Sequence, residues 1–195
     1  MIALIDYGSG NIESVANALN DLNVEYVVTC NEKEILDSEK IIFPGVGEAS
    51  YAIRRLHLLN LFTFLEITKK PLLGICLGMQ LLCEKSVEGN VTCLGRFPVT
   101  VELFDNTKTK VPHMGWNEVE TVKESKLFSG IPDKTFFYFA NSYYVPMHQY
   151  STAQTNHGIL FSASIERDNF YGVQFHPEKS GQAGIQLIKN FIELC

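Results

Sequence analysis

The chain has 195 residues, 46% of them hydrophobic and 19% charged, with a formal net charge of −6. That balance excludes a disordered or fibrous chain, and an acidic surface without a basic arm offers nothing to nucleic acid phosphates. The length suits a single domain over 1–195 that buries a core without disulfides or metals.

The five cysteines, Cys30, Cys76, Cys83, Cys93 and Cys195, are odd in number, irregularly spaced and free of any CxxC pair. Neither a disulfide framework nor a metal site is expected, and a reducing cytoplasm is the simpler setting. The opening MIALIDYGSGN has no basic flank or cleavage site, so no signal peptide is expected. No apolar run reaches membrane-spanning length, so no membrane partner is expected either.

In chain order, IALID at 2–6 reads as a buried strand, followed by a Gly8–Ser9–Gly10 turn. Ile12, Val15, Ala16, Leu19 and Leu22 have helical spacing over 12–22. Strand-like runs follow at 25–29 and 40–43, the latter closed by Pro44–Gly45. One helical stretch is expected over 48–68, an apolar strand over 71–76, and a helix from Leu77 to about Glu84 that would carry Cys83 inward. Strand–helix repetition with strands apolar on both faces predicts a parallel sheet covered by helices. The segments 97–104, 117–122, 134–145, 151–157, 159–166 and 170–175 read as mixed or antiparallel strands extending that sheet. A last helix covers about 182–194. The fold class is therefore three-layer α/β, a mainly parallel sheet flanked by helices with an antiparallel extension.

Gly74-Ile75-Cys76-Leu77-Gly78 stands between an apolar strand and an amphipathic helix. The pattern G-x-nucleophile-x-G is what a nucleophile elbow requires: the glycines allow the sharp turn that lifts the central side chain above the sheet. A cysteine there gains from the helix N-terminus, and the Leu77 N–H is placed as half of an oxyanion hole. The other four cysteines lack this context and read as packing or surface thiols.

A thiol nucleophile needs a base held by a third group. His176 ends an apolar strand and is followed by Pro177 and Glu178, a spacing that keeps imidazole and carboxylate on one side of extended backbone. His57 reads as a solvated helical residue, and His148 and His157 lie near turns. His113 sits in PHMGWN at 112–117, whose Trp116, the only tryptophan, is either core filling or, preferably, an interface anchor.

GICLGMQ at 74–80 followed by HPE at 176–178 resembles the class I (triad) glutamine amidotransferases. IDYGSGN at 5–11, PGVG at 44–47, PHMGWN at 112–117 and HPEKSG at 176–181 narrow the resemblance to the glutaminase subunits of imidazole glycerol phosphate synthases. It runs over essentially the whole chain. The resemblance implies that Cys76 attacks the side-chain amide of L-glutamine, with His176 and Glu178 completing the triad. Val46 and Gly47 would supply the second oxyanion donor beside Leu77. Gln80, Glu88, Ser142 and Tyr143 would bind the substrate. Asn11, Trp116, Tyr138 and Lys179 would face a (β/α)₈-barrel cyclase in a heterodimer or line its ammonia passage. No cofactor or metal is implied.

The family commonly has histidine before the Ser–Tyr pair, where this chain has Asn141, a residue that cannot titrate near neutrality. Other readings are a related synthase subunit, such as one in surface-sugar amidination, a stand-alone glutaminase or γ-glutamyl hydrolase, and a silent regulatory module. The interface-like strings oppose a stand-alone hydrolase, PGVG in place of a GGES-type string opposes the vitamin B6 subunit, and an intact triad opposes a silent module.

Overall fold

A computed structural model describes residues 1–195. Five strands run parallel side by side: β1 (Ile2–Ile5), β2 (Tyr26–Thr29), β3 (Lys40–Gly45), β4 (Leu72–Cys76) and β13 (Phe170–Val173), in the spatial order β2-β1-β3-β4-β13. Beyond β13 the sheet continues with antiparallel neighbours β12 (Leu160–Arg167), β11 (Ser151–Asn156), β8 (His113–Thr121) and β9 (Thr135–Asn141).

Both faces of β1, β3, β4 and β13 are buried while β2 forms a partly exposed edge, and alternation decides which residue goes to which layer. Ala3, Ile5, Ile41, Phe43 and Leu72 join one core with α2 (Glu32–Asp37), α3 (Ala49–Leu58) and α4 (Leu61–Ile67). Ile2, Leu4, Ile42, Leu73 and Ile75 join the other, beneath α1 (Ile12–Asp21) and α6 (Gly181–Leu194). The period-2 pleat thus feeds two helix layers from one apolar run, giving the three-layer α/β architecture. Each fully buried aliphatic side chain contributes about 1.5–3 kcal/mol of transfer free energy toward that packing.

Three local features differ from the sequence expectations. The stretch 48–68 is two helices, because Asn60 adopts a left-handed conformation (φ 57°) that ends α3 and redirects the chain. The helix after Cys76, α5 (Leu77–Leu81), stops after five residues, and Cys83 opens β5 (Cys83–Ser86) rather than riding on a helix. It is nonetheless fully buried. Last, 97–104 and the end of 134–145 do not extend the main sheet. β7 (Phe97–Leu103) and β10 (Tyr143–Tyr144) pair with β5 and β6 (Val91–Thr92) in a separate four-stranded sheet. The chain leaves one sheet after Asn141 and enters the other at Tyr143, crossing at Ser142.

These departures matter for function because they converge. The carboxyl ends of β1, β3, β4 and β13 lie side by side, where open α/β sheets collect their ligands. The β9-to-β10 crossover closes over the same edge. No helix is long and apolar enough to cross a membrane.

Candidate active site

Cys76 terminates β4 with φ 54° and ψ −111°, a conformation that a β-carbon disfavours and that persists only where the surroundings fix it. They do. A β-carbon at Gly78 would lie 1.8 Å from the Phe43 carbonyl oxygen, and one at Gly74 would lie 2.8 Å from the Gly78 backbone. Only glycines allow β3, β4 and α5 to meet this closely, so the elbow read from G-x-C-x-G is present in full. Leu77 opens α5, which leaves its N–H without an intrahelical acceptor.

His176 follows β13 and is 3% exposed; its backbone N–H donates to the Tyr138 carbonyl at 2.8 Å. The expected extended His–Pro–Glu backbone is instead a turn, since Pro177–Lys179 forms a 3-10 segment with proline favoured at its start. The side chains still meet: His176 Nδ1 donates to Glu178 Oε1 at 2.8 Å. Asn11 Nδ2 donates to the same oxygen at 3.1 Å, while Glu178 Oε2 is buried without a partner. Burial pulls the imidazole toward neutrality, but hydrogen bonds to Cys76 and Glu178 and the charges of both overcome it and raise its pKa to about 10. The ring is therefore held as an imidazolium beside the sulfur.

A cavity of about 290 Å³ opens at this sulfur, lined by Val46, Gly47, Cys76, Leu77, Gln80, Glu88, Ala140, Asn141, Ser142, Tyr143, His176 and Lys179. It brings together Cys76 and His176 with the three positions expected from sequence at the oxyanion hole and all four expected at the substrate. A larger depression of about 810 Å³, between Thr121 and Ile131 beside Glu166 and Leu194, is lined by no cysteine or histidine.

Along the cavity wall, neither Val46 nor Gly47 has a backbone acceptor for its N–H, and Ser9 Oγ donates to the Val46 carbonyl. Glu88 Oε2 accepts from the Ala49 N–H at 2.8 Å; burial raises its carboxyl pKa, the Ala49 N–H partly opposes this, and Glu48 adds to it. Gln80 Nε2 donates to the Tyr143 carbonyl at 3.0 Å and to Gln174 Oε1 at 2.9 Å. Asn141 Nδ2 donates to the same Tyr143 carbonyl at 2.9 Å, leaving its buried Oδ1 unpartnered.

Of the four residues expected at a partner surface, Asn11 and Lys179 adjoin the triad, and Lys179 forms no ion pair within the chain. Trp116 is 57% exposed rather than core filling, and packs edge-on against Tyr138 with ring centroids 6.1 Å apart. Met114 and Phe136, also exposed, share that face of β8 and β9 through the register Met114↔Ala140, Trp116↔Tyr138 and Glu118↔Phe136. His113 is structural: it stacks on His157 at 4.1 Å and on Phe139 at 4.7 Å, and burial next to His157 lowers its pKa to about 4.

Sequence reasoning misses Gln174, fully buried, whose Nε2 lies 3.7 Å from Cys76 Sγ. The signal for it is a lone amide in an apolar strand, two residues before His176 and thus on its side of the chain. Ser9 reads from sequence only as part of a turn. No group of three or more His, Cys, Asp or Glu side chains is placed to hold a metal ion.

The family described as glutamine amidotransferase class-I matches residues 3–194. Two solved structures share the fold: a glutamine amidotransferase (TM-score 0.78, 16% identity, 100% of this chain and 98% of that one) and PurLQS from Thermotoga maritima (TM-score 0.70, 16% identity, 98% and 96%). Much closer in sequence are imidazole glycerol phosphate synthase subunits HisH. That of Bacteroides fragilis is 49% identical over 195 residues, covering 99% of both chains. Those of Bacteroides thetaiotaomicron and Yersinia pseudotuberculosis are 45% and 42% identical, again with 99% coverage of each chain. The chain belongs to the class-I glutamine amidotransferases and, within them, to the HisH subunits of imidazole glycerol phosphate synthase.

Proposed function

We propose that this chain, acting as one domain over 1–195, hydrolyses L-glutamine through Cys76, His176 and Glu178 and passes the ammonia to a (β/α)₈-barrel cyclase. The observation that carries this reading is Cys76 and His176 together at the mouth of a cavity of about 290 Å³, with His176 Nδ1 donating at 2.8 Å to the buried Glu178 carboxylate. A cysteine attacks as its thiolate, and the His176 imidazole at its side is the group placed to exchange a proton with it.

The thiolate attacks the side-chain carbonyl carbon of glutamine. Negative charge moves to the carbonyl oxygen, where the Leu77 N–H and an N–H from Val46 or Gly47 receive it. His176 then gives its proton to the departing nitrogen, the C–N bond breaks, and a γ-glutamyl thioester and ammonia result. The neutral imidazole next takes a proton from water, whose oxygen attacks the thioester. Glutamate leaves, and the imidazolium–thiolate pair is restored. Glu178 keeps Nδ1 protonated and the ring oriented throughout.

Glu88 and the carbonyl end of Gln80 present acceptors for the substrate ammonium, and Ser142 and Tyr143 form the wall along its length. The exposed Trp116–Tyr138 face suits a docking partner, with Asn11 and Lys179 connecting it to the triad. The HisH relatives support a histidine-pathway partner. There the ammonia would join N1-(5-phosphoribulosyl)-formimino-AICAR phosphate to give imidazole glycerol phosphate and AICAR phosphate. Five unpaired cysteines agree with action in a reducing cytoplasm.

The test is glutamate release with and without the barrel subunit and its nucleotide substrate. Strong stimulation by the liganded partner is expected, and full activity without it would overturn the partnership. In the complex, Cys76→Ala should abolish synthesis from glutamine yet leave synthesis from added ammonia intact.

A further inference from the structure

We infer that Gln174 is a positioning residue for the nucleophile: its amide N–H holds Cys76 Sγ, and its carbonyl oxygen ties that sulfur to Gln80 in the substrate wall. This rests on the reading of Cys76 as the nucleophile.

The direction of the chain of amides follows from one fixed point. A backbone carbonyl can only accept, so the Gln80 group beside the Tyr143 oxygen at 3.0 Å is its NH₂. The same nitrogen lies 2.9 Å from Gln174, which must therefore turn its oxygen there. The NH₂ of Gln174 is left for the sulfur, at 3.7 Å. Each step permits one orientation only, and the sulfur accepts the last of these bonds while directing its own S–H at the Ala140 carbonyl, 4.0 Å away.

The position on the strand supports this. Val173 and Phe175 join the apolar core, whereas Gln174 and His176, where the chain bends past the end of β13, both lie against Cys76. The sulfur thus rests between an imidazolium and an amide donor. Gln174 has 0% exposure, and burying a primary amide costs free energy that an aliphatic side chain of similar size avoids. A donor that favours the ionised sulfur accounts for its presence; packing alone does not.

A second consequence concerns Gln80. Both of its amide protons are committed, one to Tyr143 and one to Gln174, so it shows the cavity only an acceptor oxygen. An occupant that donates to this oxygen is linked to the reacting sulfur through two amides.

The experiment follows alkylation of Cys76 by iodoacetamide in the full-length chain, read by mass spectrometry of the Cys76 peptide across the acidic to alkaline range. Gln174→Met keeps the side-chain length and removes the donor. Its rate profile should move up by about one pH unit, with roughly tenfold slower alkylation at neutrality, the scale of one hydrogen bond to an ionised group. Gln174→Glu should move the profile at least as far, because a carboxylate then faces the sulfur. Gln80→Met keeps the donor but removes its anchor, and should give a smaller shift in the same direction. An unmoved profile in Gln174→Met overturns the inference, whatever happens to glutaminase activity. If that variant does not fold, unmoved profiles in Gln174→Glu and Gln80→Met overturn it equally. Cys76→Ala keeps the two readings apart. Glutamine hydrolysis surviving in Cys76→Ala removes the nucleophile assignment itself, whereas an inactive Cys76→Ala with an unmoved Gln174→Met profile removes only the role of Gln174.

Discussion

Asn11 Nδ2 donates to Glu178 Oε1 at 3.1 Å, joining the start of α1 to the carboxylate that accepts from the His176 imidazole. Asn11 is itself held, because Ser14 Oγ donates to its Oδ1 at 2.9 Å. Movement at the α1 entry is therefore felt at Glu178, with one hydrogen bond between. Replacing Asn11 with Ala leaves a buried carboxylate with one donor fewer, a loss of about 1–2 kcal/mol in its hold on the imidazole. The expected result is a fall in kcat for glutamine hydrolysis of roughly tenfold with KM nearly unchanged. Steady-state kinetics of the complex will show it, and Asn11→Asp should be worse because it sets two carboxylates together.

The ionisation of His176 makes a prediction about pH. Its folded value, about 10, lies above the ordinary 6.5, raised by Cys76 and Glu178 against the pull of burial. A group raised on folding gives its full stabilisation below its unfolded value and loses it as the pH climbs through the folded one. Thermal unfolding of the wild-type chain should therefore show stability declining between about pH 6.5 and about pH 10. In Cys76→Ala that decline should be smaller, since a main source of the raised value is gone. Parallel pH profiles for the two proteins would contradict a His176 value raised by Cys76.

Gly78 and Gly95 separate two reasons for glycine. At Gly78 an added β-carbon would stand 1.8 Å from the Phe43 carbonyl oxygen, and backbone cannot yield by that much without parting β3 from the elbow. Gly78→Ala should cost more than about 3 kcal/mol or prevent folding, in line with severe overpacking. At Gly95, φ is +66° but nothing lies within 4 Å of a β-carbon. Gly95→Ala should cost only about 1 kcal/mol, the strain of a left-handed residue. Denaturant unfolding of both variants distinguishes crowding from conformation.

Trp116 offers a cleaner test of the docking face. With 57% of its surface exposed and only the Tyr138 ring packed edge-on against it, truncation to Ala should leave the melting temperature of the isolated chain nearly unchanged. Affinity for the barrel subunit should drop by about 2 kcal/mol or more, roughly thirtyfold, as at other central aromatic anchors. Calorimetry of the paired subunits gives both numbers. Equal affinity would move the interface elsewhere.

How much of the molecule is legible in the sequence depends on how local each signal is. G-x-C-x-G and His-Pro-Glu are short strings whose geometry is set by the residues themselves, so sequence suffices to place the sharp turn at Cys76 and the His176–Glu178 contact. The buried parallel strands announce themselves as apolar runs. The second sheet does not, because β5 and β6 are short and polar-faced, and their partner β7 is paired across the chain rather than within a hairpin. Helix α2 escapes notice although Asn31, whose side chain accepts from the Lys33 N–H, stands three residues before Glu34 in capping-box spacing. Six residues are too few for periodicity to show. Gln174 is silent for a different reason: its meaning lies in contacts with Gln80 and Cys76, nearly a hundred residues away in the chain.

The tight join at Gly45 sets a limit on motion at the catalytic edge. A β-carbon there would meet the Tyr7 hydroxyl at 2.6 Å and the Gly78 nitrogen at 2.9 Å, so the end of β3 is clamped to the base of the elbow. Any rearrangement of the loop facing the cysteine must therefore begin at Val46, the first residue past the clamp and the first that is exposed. The molecule has, in effect, one fixed jaw, which carries the sulfur, and the stretch from Val46 onward is the first of the facing edge that the clamp does not hold.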